Sequence, residues 1–167
     1  FGKEGGGYRT YPAFPDRGSS GKRLITTHGY LADVDNEGKY WTYGNRWPGW
    51  DRKMHGVSAY GQLLVFDQET LYGVHVFTEN IRVRRGRFLG GKGPRLFARD
   101  HATKQDRWSH HVPVRIRALV KAGDKLLAAG PPDIVPEDDP LAAVEGRRGA
   151  VLMSVSCDDG QVLDESK

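Results

Sequence analysis

The feature of this sequence that most constrains its fold is an internal repeat in its second half. Two segments align at a constant offset without gaps, and each has an apolar run, a polar turn and a second strand-like run. Each is preceded by two apolar runs around a short polar connector, which is typical of a β-hairpin. The aligned segments are 96–108 (LFARDHATKQDRW) and 152–164 (LMSVSCDDGQVLD). A duplication of this kind predicts two copies of one small sheet.

Each copy is predicted to contain four antiparallel strands. The predicted strands lie near 62–67, 71–77, 95–100 and 106–111 in the first copy, and near 114–121, 125–129, 150–157 and 161–165 in the second. Insertions at 78–94 and 131–148 separate the second and third strands of each copy. Only Pro140 to Glu145 looks helical, and only for a turn or two. We therefore predict an all-β chain of four-stranded antiparallel units.

The repeated segment resembles the repeat of quinoprotein-like (PQQ-like) β-propellers, whose loose pattern is Leu-Tyr-Ala-Leu-Asp-Ala-x-Thr-Gly-Lys-x-Leu-Trp. The first copy matches at Leu96, Phe97, Ala98, Asp100, Thr103 and Trp108. It departs at Lys104, where the family prefers Gly. The second copy matches at Leu152, Gly160 and Leu163 and has Asp164 in place of Trp. In this pattern Asp and Thr cap the turn, Gly is left-handed, and Trp108 is expected to pack between blades.

Residues 114–133 are also similar to a segment of large propeller proteins of planctomycete-type bacteria, whose activity is unknown. The resemblance covers roughly residues 28–167. It implies propeller-blade repeats, about two to three blades in an incomplete ring, because closure takes at least about four. The implied domains are an extended N-terminal arm (1–22), a partial blade or aromatic lead-in (23–56), one blade (57–112) and a second blade (113–167).

An incomplete ring needs partners. We expect either the remaining blades of the same protein or a protein partner at the open sheet edge. The chain opens with Phe1 rather than Met, which we interpret as a cleaved mature protein or a piece of a longer chain. No apolar run is long enough for a transmembrane helix. A periplasmic or secreted location is expected.

Charge and cysteine content narrow the function classes further. The net charge is +4, and part of it comes from a local cluster at Arg82, Arg84, Arg85, Arg87 and Lys92. Such a cluster could bind nucleic acid, but a solvated loop is the simpler interpretation, so a nucleic-acid partner is not expected. Cys157 is the only cysteine, which excludes an internal disulfide and a cysteine-rich zinc site.

One aromatic segment is a candidate binding surface. Aromatic rings can bind sugars or bases by stacking. The rings can equally fill the space between blades, and this alternative is favoured. The candidate stacking residues are Tyr40, Trp41, Tyr43, Trp47 and Trp50.

Metal and cofactor sites are not predicted. PQQ enzymes of this fold stack the quinone on a Trp beside calcium and use an Asp base, but no local motif maps onto that site. His101, His110 and His111 are close in sequence, yet adjacent strand residues point to opposite faces. An acidic loop could hold calcium but lacks EF-hand spacing; it contains Asp133, Glu137, Asp138 and Asp139.

The sequence favours a non-catalytic β-propeller segment that acts as a scaffold or binding module within a larger exported bacterial protein. Two alternatives stay open. One is a fragment of a PQQ-dependent dehydrogenase, with PQQ and calcium as cofactors. The other is a carbohydrate-binding module that uses the aromatic cluster at 40–50.

Overall fold

The computed structural model of the protein describes residues 23–26, 41–44, 57–75 and 93–167. These residues form eleven strands and no helix. The strands are β1 (Arg23–Thr26), β2 (Trp41–Gly44), β3 (Val57–Gly61), β4 (Leu63–Phe66), β5 (Thr70–His75), β6 (Arg95–Asp100), β7 (Asp106–His111), β8 (Ala118–Ala122), β9 (Lys125–Gly130), β10 (Val151–Ser156) and β11 (Val162–Ser166). The all-β prediction is confirmed for this part of the chain.

The strands form three antiparallel sheets, each in sequence order. The sheets are β1–β2–β3, β4–β5–β6–β7 and β8–β9–β10–β11. The two four-stranded sheets are the two predicted copies, and their observed strands overlap all eight predicted ones. Both have an up-and-down order, because each strand pairs with the strand that precedes it. The predicted duplication of a four-stranded antiparallel unit is therefore confirmed.

The turns that end these strands are specified locally. In the turn after β6, Asp100 Oδ1 accepts hydrogen bonds from the backbone N–H groups of Ala102 and Thr103, at 2.9 and 2.7 Å, and from the Thr103 hydroxyl at 3.0 Å. Asp67 does the same after β4, where Oδ1 accepts from Glu69 and Thr70. Each carboxylate satisfies N–H groups that the sheet leaves unpaired.

Equivalent positions of the two copies share one backbone conformation although their residues differ. Gly160 has φ 75° and Lys104 has φ 62°, both in the left-handed region. Lys104 is the one non-glycine residue with positive φ in the described part of the chain. The expected capping by Asp100 and Thr103 and the left-handed glycine are both confirmed, and the first copy adopts the same turn without a glycine.

The connection from β9 to β10 differs from the prediction of a short helix at Pro140–Glu145. It forms successive turns over 140–148, in which one hydrogen bond, from Glu145 N–H to the Leu141 carbonyl at 2.9 Å, has the four-residue spacing of an α-helix. Gly146 and Gly149 both have positive φ, so a right-handed helix cannot extend through them. Ion pairs link Arg147 with Asp139 and Arg148 with Asp138 across this connection.

The sheet β4–β7 lies between the other two sheets. One of its faces joins β8–β11 in a buried cluster that includes Val74, Leu96, Leu126 and Met153. Its other face meets β1–β3 through a smaller cluster of Ala59, Leu71 and Phe97. Side chains alternate along each strand, which is why β6 can supply Leu96 to one cluster and Phe97 to the other. No helix long and apolar enough to cross a membrane is found in the described residues.

Candidate functional site

Trp108 of β7 joins the two four-stranded sheets. Its indole N–H donates a hydrogen bond of 2.8 Å to the Cys157 carbonyl in the turn after β10. The ring also lies against Gly160, where an added Cβ would come within 2.5 Å of Trp108 Cε3. The positive φ favours glycine at position 160, and the approach of the ring requires it. Trp108 was expected to pack between blades, and the structure places it between two neighbouring four-stranded sheets.

Cys157, whose carbonyl accepts this hydrogen bond, is buried. Burial raises the pKa of its thiol, and the neighbouring Tyr72 hydroxyl shares a hydrogen bond with it. Burial likewise raises the pKa of Tyr72, and the Cys157 contact adds to the effect. A thiol held in its neutral form is a poor nucleophile. Cys157 thus has a packing role in this junction.

The junction between β1–β3 and β4–β7 is organised around Phe97. The Phe97 ring occupies the space above Gly73, where an added Cβ would lie 2.5 Å from Phe97 Cζ. The guanidinium groups of Arg95 and Arg99 lie over the same ring, 5.1 and 5.4 Å from its centroid. Asp106 pairs with both arginines, at 3.4 Å from Arg95 Nη1 and 2.6 Å from Arg99 Nε.

His75 is the buried titratable group at this junction, with 4% of its surface exposed. Its ring lies between Tyr60 and Phe97, at centroid distances of 4.3 and 4.6 Å. Nε2 lies 2.7 Å from the Tyr60 carbonyl of β3, and Nδ1 lies 3.0 Å from Arg95 Nη2. A carbonyl can only accept and a guanidinium can only donate, so Nε2 carries the proton and the ring is neutral. Burial, with help from Arg95 and Arg99, lowers the His75 pKa to about 4.

The outer face of β8–β11 is exposed and partly apolar. The strand registers align the residues of this outer face with residues of β4–β7. The aligned residues of β4–β7 lie on the face that packs against β8–β11. Val65 pairs with Tyr72 in the first copy, and Val120 pairs with Leu127 in the second. Leu96 and Leu152 occupy the same position in the repeat. Tyr72 and Leu96 are 3% and 0% exposed, whereas Leu127 and Leu152 are 37% and 46% exposed.

This free face, defined by Val120, Leu127 and Leu152, is apolar mainly along β8 and β9. Towards β11 it becomes polar, because Ser154 pairs with Leu127 on one side and with Asp164 on the other. Asp164 occupies the position that Trp108 has in the first copy. The free face thus repeats the apolar inner part of the covered face but not its tryptophan.

The predicted aromatic surface is only partly described. Tyr40, Trp47 and Trp50 lie outside the described residues. Trp41 and Tyr43 belong to β2, and Tyr43 is half-buried. The Tyr43 ring lies 5.1 Å from Phe66 and 5.3 Å from His101, between centroids. Tyr43 therefore packs between two sheets.

The three histidines that are close in sequence do not converge. Each uses a ring nitrogen to donate to a different backbone carbonyl: His101 to Asp67, His110 to Asp159 and His111 to Gly93. In the acidic loop, Asp133 is buried, whereas Asp138 and Asp139 pair with arginines. Within the described ranges no three His, Cys, Asp or Glu residues are grouped closely enough to hold a metal ion. Of the arginine cluster at 82–92, every member lies outside those ranges.

Comparison with protein-family models, with curated proteins and with solved structures finds no match to this chain. The two junctions and the free face are therefore the basis for a functional proposal.

Sequence reasoning missed both His75 and the free face. His75 sits in an apolar strand (LYGVHVF), and a lone histidine in a buried strand was the available signal. The free face was visible as apolar residues at alternate positions of β8 and β9. Asp164 in place of the tryptophan was visible in the sequence, but recognising that the face is uncovered required knowing that no described sheet lies beyond it.

Proposed function

We propose that this chain is a non-catalytic scaffold segment of stacked, propeller-blade-type sheets, and that the free face of β8–β11 binds a further four-stranded sheet. The observation that carries the proposal is the equivalence of the two faces. Positions that β4–β7 buries against β8–β11 recur on β8–β11 as exposed apolar side chains. An exposed apolar patch on an ordered sheet is typical of an interaction surface.

Continuity with the existing junction supports this choice of partner. The inner face of β8–β11 already packs against the apolar face of β4–β7. The free face repeats that face of β4–β7, so β8–β11 carries both of the surfaces that form one stacking interface. The chemistry of the junctions supports a binding role rather than a catalytic one, because His75, His110 and the Cys157 carbonyl engage in hydrogen bonds that hold the sheets together. Because the repeat resembles that of PQQ-like propellers, we further propose that the chain is part of a larger exported bacterial protein.

An extended chain tests the stacking. A second copy of residues 112–167 added after Lys167 continues the repeat in register. We would prepare it with Asp164 retained and with Asp164→Trp in the original residues 112–167, which places a tryptophan at the repeat position that Trp108 has in β7. Leu152→Cys on the free face would report accessibility by its rate of thiol modification. Leu141→Cys, at an exposed residue between β9 and β10 of the original chain, is the matched control.

In the Asp164→Trp chain we expect the thiol introduced by Leu152→Cys to be modified at least about tenfold more slowly, because stacking buries the side chain. The chain with Asp164 should show weaker protection, and the control thiol should react at an unchanged rate. Equal reactivity of the thiol at position 152 in the extended and original chains would refute the stacking. Stoichiometric PQQ binding with calcium, or dye-linked alcohol oxidation by the original chain, would refute the non-catalytic role.

A further inference from the structure

The junction between β1–β3 and β4–β7 contains a hydrogen-bonded chain that depends on one proton. Tyr60 belongs to β3, His75 to β5 and Arg95 to β6, so the chain runs from one sheet into the other. His75 is the last residue of β5, and its ring contacts both Tyr60 and Phe97. This link adds to a small apolar cluster, which in the described residues comprises Ala59, Leu71 and Phe97 with Tyr43 and Leu64 beside it.

Protonation of His75 is incompatible with this arrangement. An imidazolium ring has two N–H donors and no acceptor. Its Nδ1–H would then point at the Arg95 guanidinium, which also can only donate. Arg95 is held in place by longer contacts of 3.4 Å to Asp106 and to the Ser109 hydroxyl. The two donors would face each other at 3.0 Å in a largely buried site.

The charges around His75 do not offset this repulsion. The described groups that act on it are the Tyr60 backbone carbonyl from β3, which favours the protonated ring by accepting its hydrogen bond, Arg95 and Arg99 from β6, and Asp106 from β7. The two arginines disfavour a charged ring. Asp106 favours it, but this single carboxylate already pairs with both arginines. Local electrostatics therefore keep His75 neutral as long as the junction is closed.

We propose that His75 is a pH-sensitive latch: protonation of its ring releases β3, and with it the sheet β1–β3, from β4–β7. The other junction holds under the same conditions. Its histidine, His110, is half-buried and donates from Nε2 to the Asp159 carbonyl, so a second proton on Nδ1 breaks no described hydrogen bond. Acid thus opens one junction and leaves the other closed.

The direction in which pH changes the stability of the closed junction follows from the His75 pKa in the closed and open forms. His75 in the closed junction has its pKa lowered to about 4, chiefly by burial, whereas a solvated histidine titrates near 6.5. The open form therefore binds more protons between these values, and the stabilisation by the latch is lost as the pH falls from about 6.5 towards 4. The closed-to-open ratio should fall on the order of 100-fold between pH 7 and pH 4.

Amide hydrogen exchange, corrected for the intrinsic effect of pH, tests this latch. In the wild-type protein, β3 amides (57–61) should lose up to about 100-fold protection at pH 4, whereas β6 and β10 amides keep theirs. His75→Gln is the matched variant, because the Gln amide can donate to the Tyr60 carbonyl and accept from Arg95 but does not titrate. It should retain β3 protection at pH 4.

Loss of β3 protection to the same extent in His75→Gln, or no loss in the wild type, would overturn the proposal. If His75→Gln does not fold at pH 7, the histidine-ring NMR titration of the wild type decides. A His75 midpoint well below the ordinary value of about 6.5 that coincides with the change in β3 supports the latch. A midpoint at that ordinary value with unchanged β3 signals overturns it.

Discussion

The two junctions of this molecule join the same middle sheet, yet they differ in composition. The one between β4–β7 and β8–β11 is a continuous apolar cluster closed by Trp108 and Gly160. The one between β1–β3 and β4–β7 has a few apolar side chains beside a polar chain of His75, Arg95 and Asp106. The first junction has ionisable groups at its edge, where Lys121 pairs with Asp67 at 3.2 Å and His110 donates to the Asp159 carbonyl. The second junction has its histidine buried inside it, where a change of charge costs more. The same kind of sheet stacking can therefore produce one junction that stays closed in acid and one that opens.

Replacement of Trp108 should have the largest effect. Trp108→Ala removes a buried ring and its hydrogen bond to Cys157 and should lower the free energy of unfolding by about 3–5 kcal/mol. Urea denaturation measures the change. Trp108→Phe keeps a ring but leaves the Cys157 carbonyl without its donor, at a cost of about 1–3 kcal/mol. A loss below about 1 kcal/mol for Trp108→Ala would show that Trp108 does not hold the sheets together.

Gly160→Ala should destabilise the protein by about 3 kcal/mol. The new Cβ would lie within 2.5 Å of Trp108 Cε3 and 2.6 Å of His110 Cδ2, and the backbone has φ 75°. Overpacking and a left-handed alanine contribute about equally. Gly123→Ala is the matched control, because Gly123 has φ 63° but no atom within 4 Å of an added Cβ. Equal losses in the two variants would remove the ring contact from the explanation.

Gly73→Ala tests the weaker junction and should cost about 1–3 kcal/mol. Its Cβ would meet the Phe97 ring at 2.5 Å. The equivalent pair in the second copy is Ala128 with Met153. Gly73→Ala combined with Phe97→Met should therefore recover part of the loss. Hydrogen exchange should place the damage in β3; loss of protection in β10 instead would contradict the separation of the junctions.

Lys104→Gly should have the smallest effect, a gain of about 0.5–1 kcal/mol. A left-handed lysine is strained by about 1–2 kcal/mol, part of which is offset by the greater freedom of glycine in the unfolded chain. The Asp100 hydrogen bonds that form the turn involve Ala102 and Thr103 and are retained. Thermal unfolding of wild type and variant gives the difference. A destabilised Lys104→Gly would mean that the lysine side chain contributes to the turn.

The repeat was sufficient to predict the two four-stranded sheets. Alternating apolar residues define the strands, and the turn residues Asp100, Thr103 and Gly160 act within a few positions of their partners, so their roles are readable from sequence. The role of Trp108 followed from the resemblance to a propeller repeat. The left-handed Lys104 was implicit in its alignment with Gly160.

Other features depend on contacts that sequence does not show. The predicted helix at 140–145 is reduced to turns with one hydrogen bond from Glu145 to Leu141, and the positive φ of Gly146 and Gly149 prevents its extension. His75 is distinctive only through Tyr60 and Arg95, which lie 15 and 20 positions away in the chain. The neighbours of Tyr43, Phe66 and His101, are likewise distant in the chain and became known only from the structure.

The contact in which the tryptophan of one repeat is held by the turn of the next is central to the stacking of the two sheets. NMR of the Trp108 side chain measures this contact directly. We predict nuclear Overhauser effects between the indole ring and the Gly160 Hα protons, together with slow solvent exchange of the indole N–H. Rapid exchange of that proton and no cross-peak to Gly160 would contradict the stacked arrangement of the two sheets.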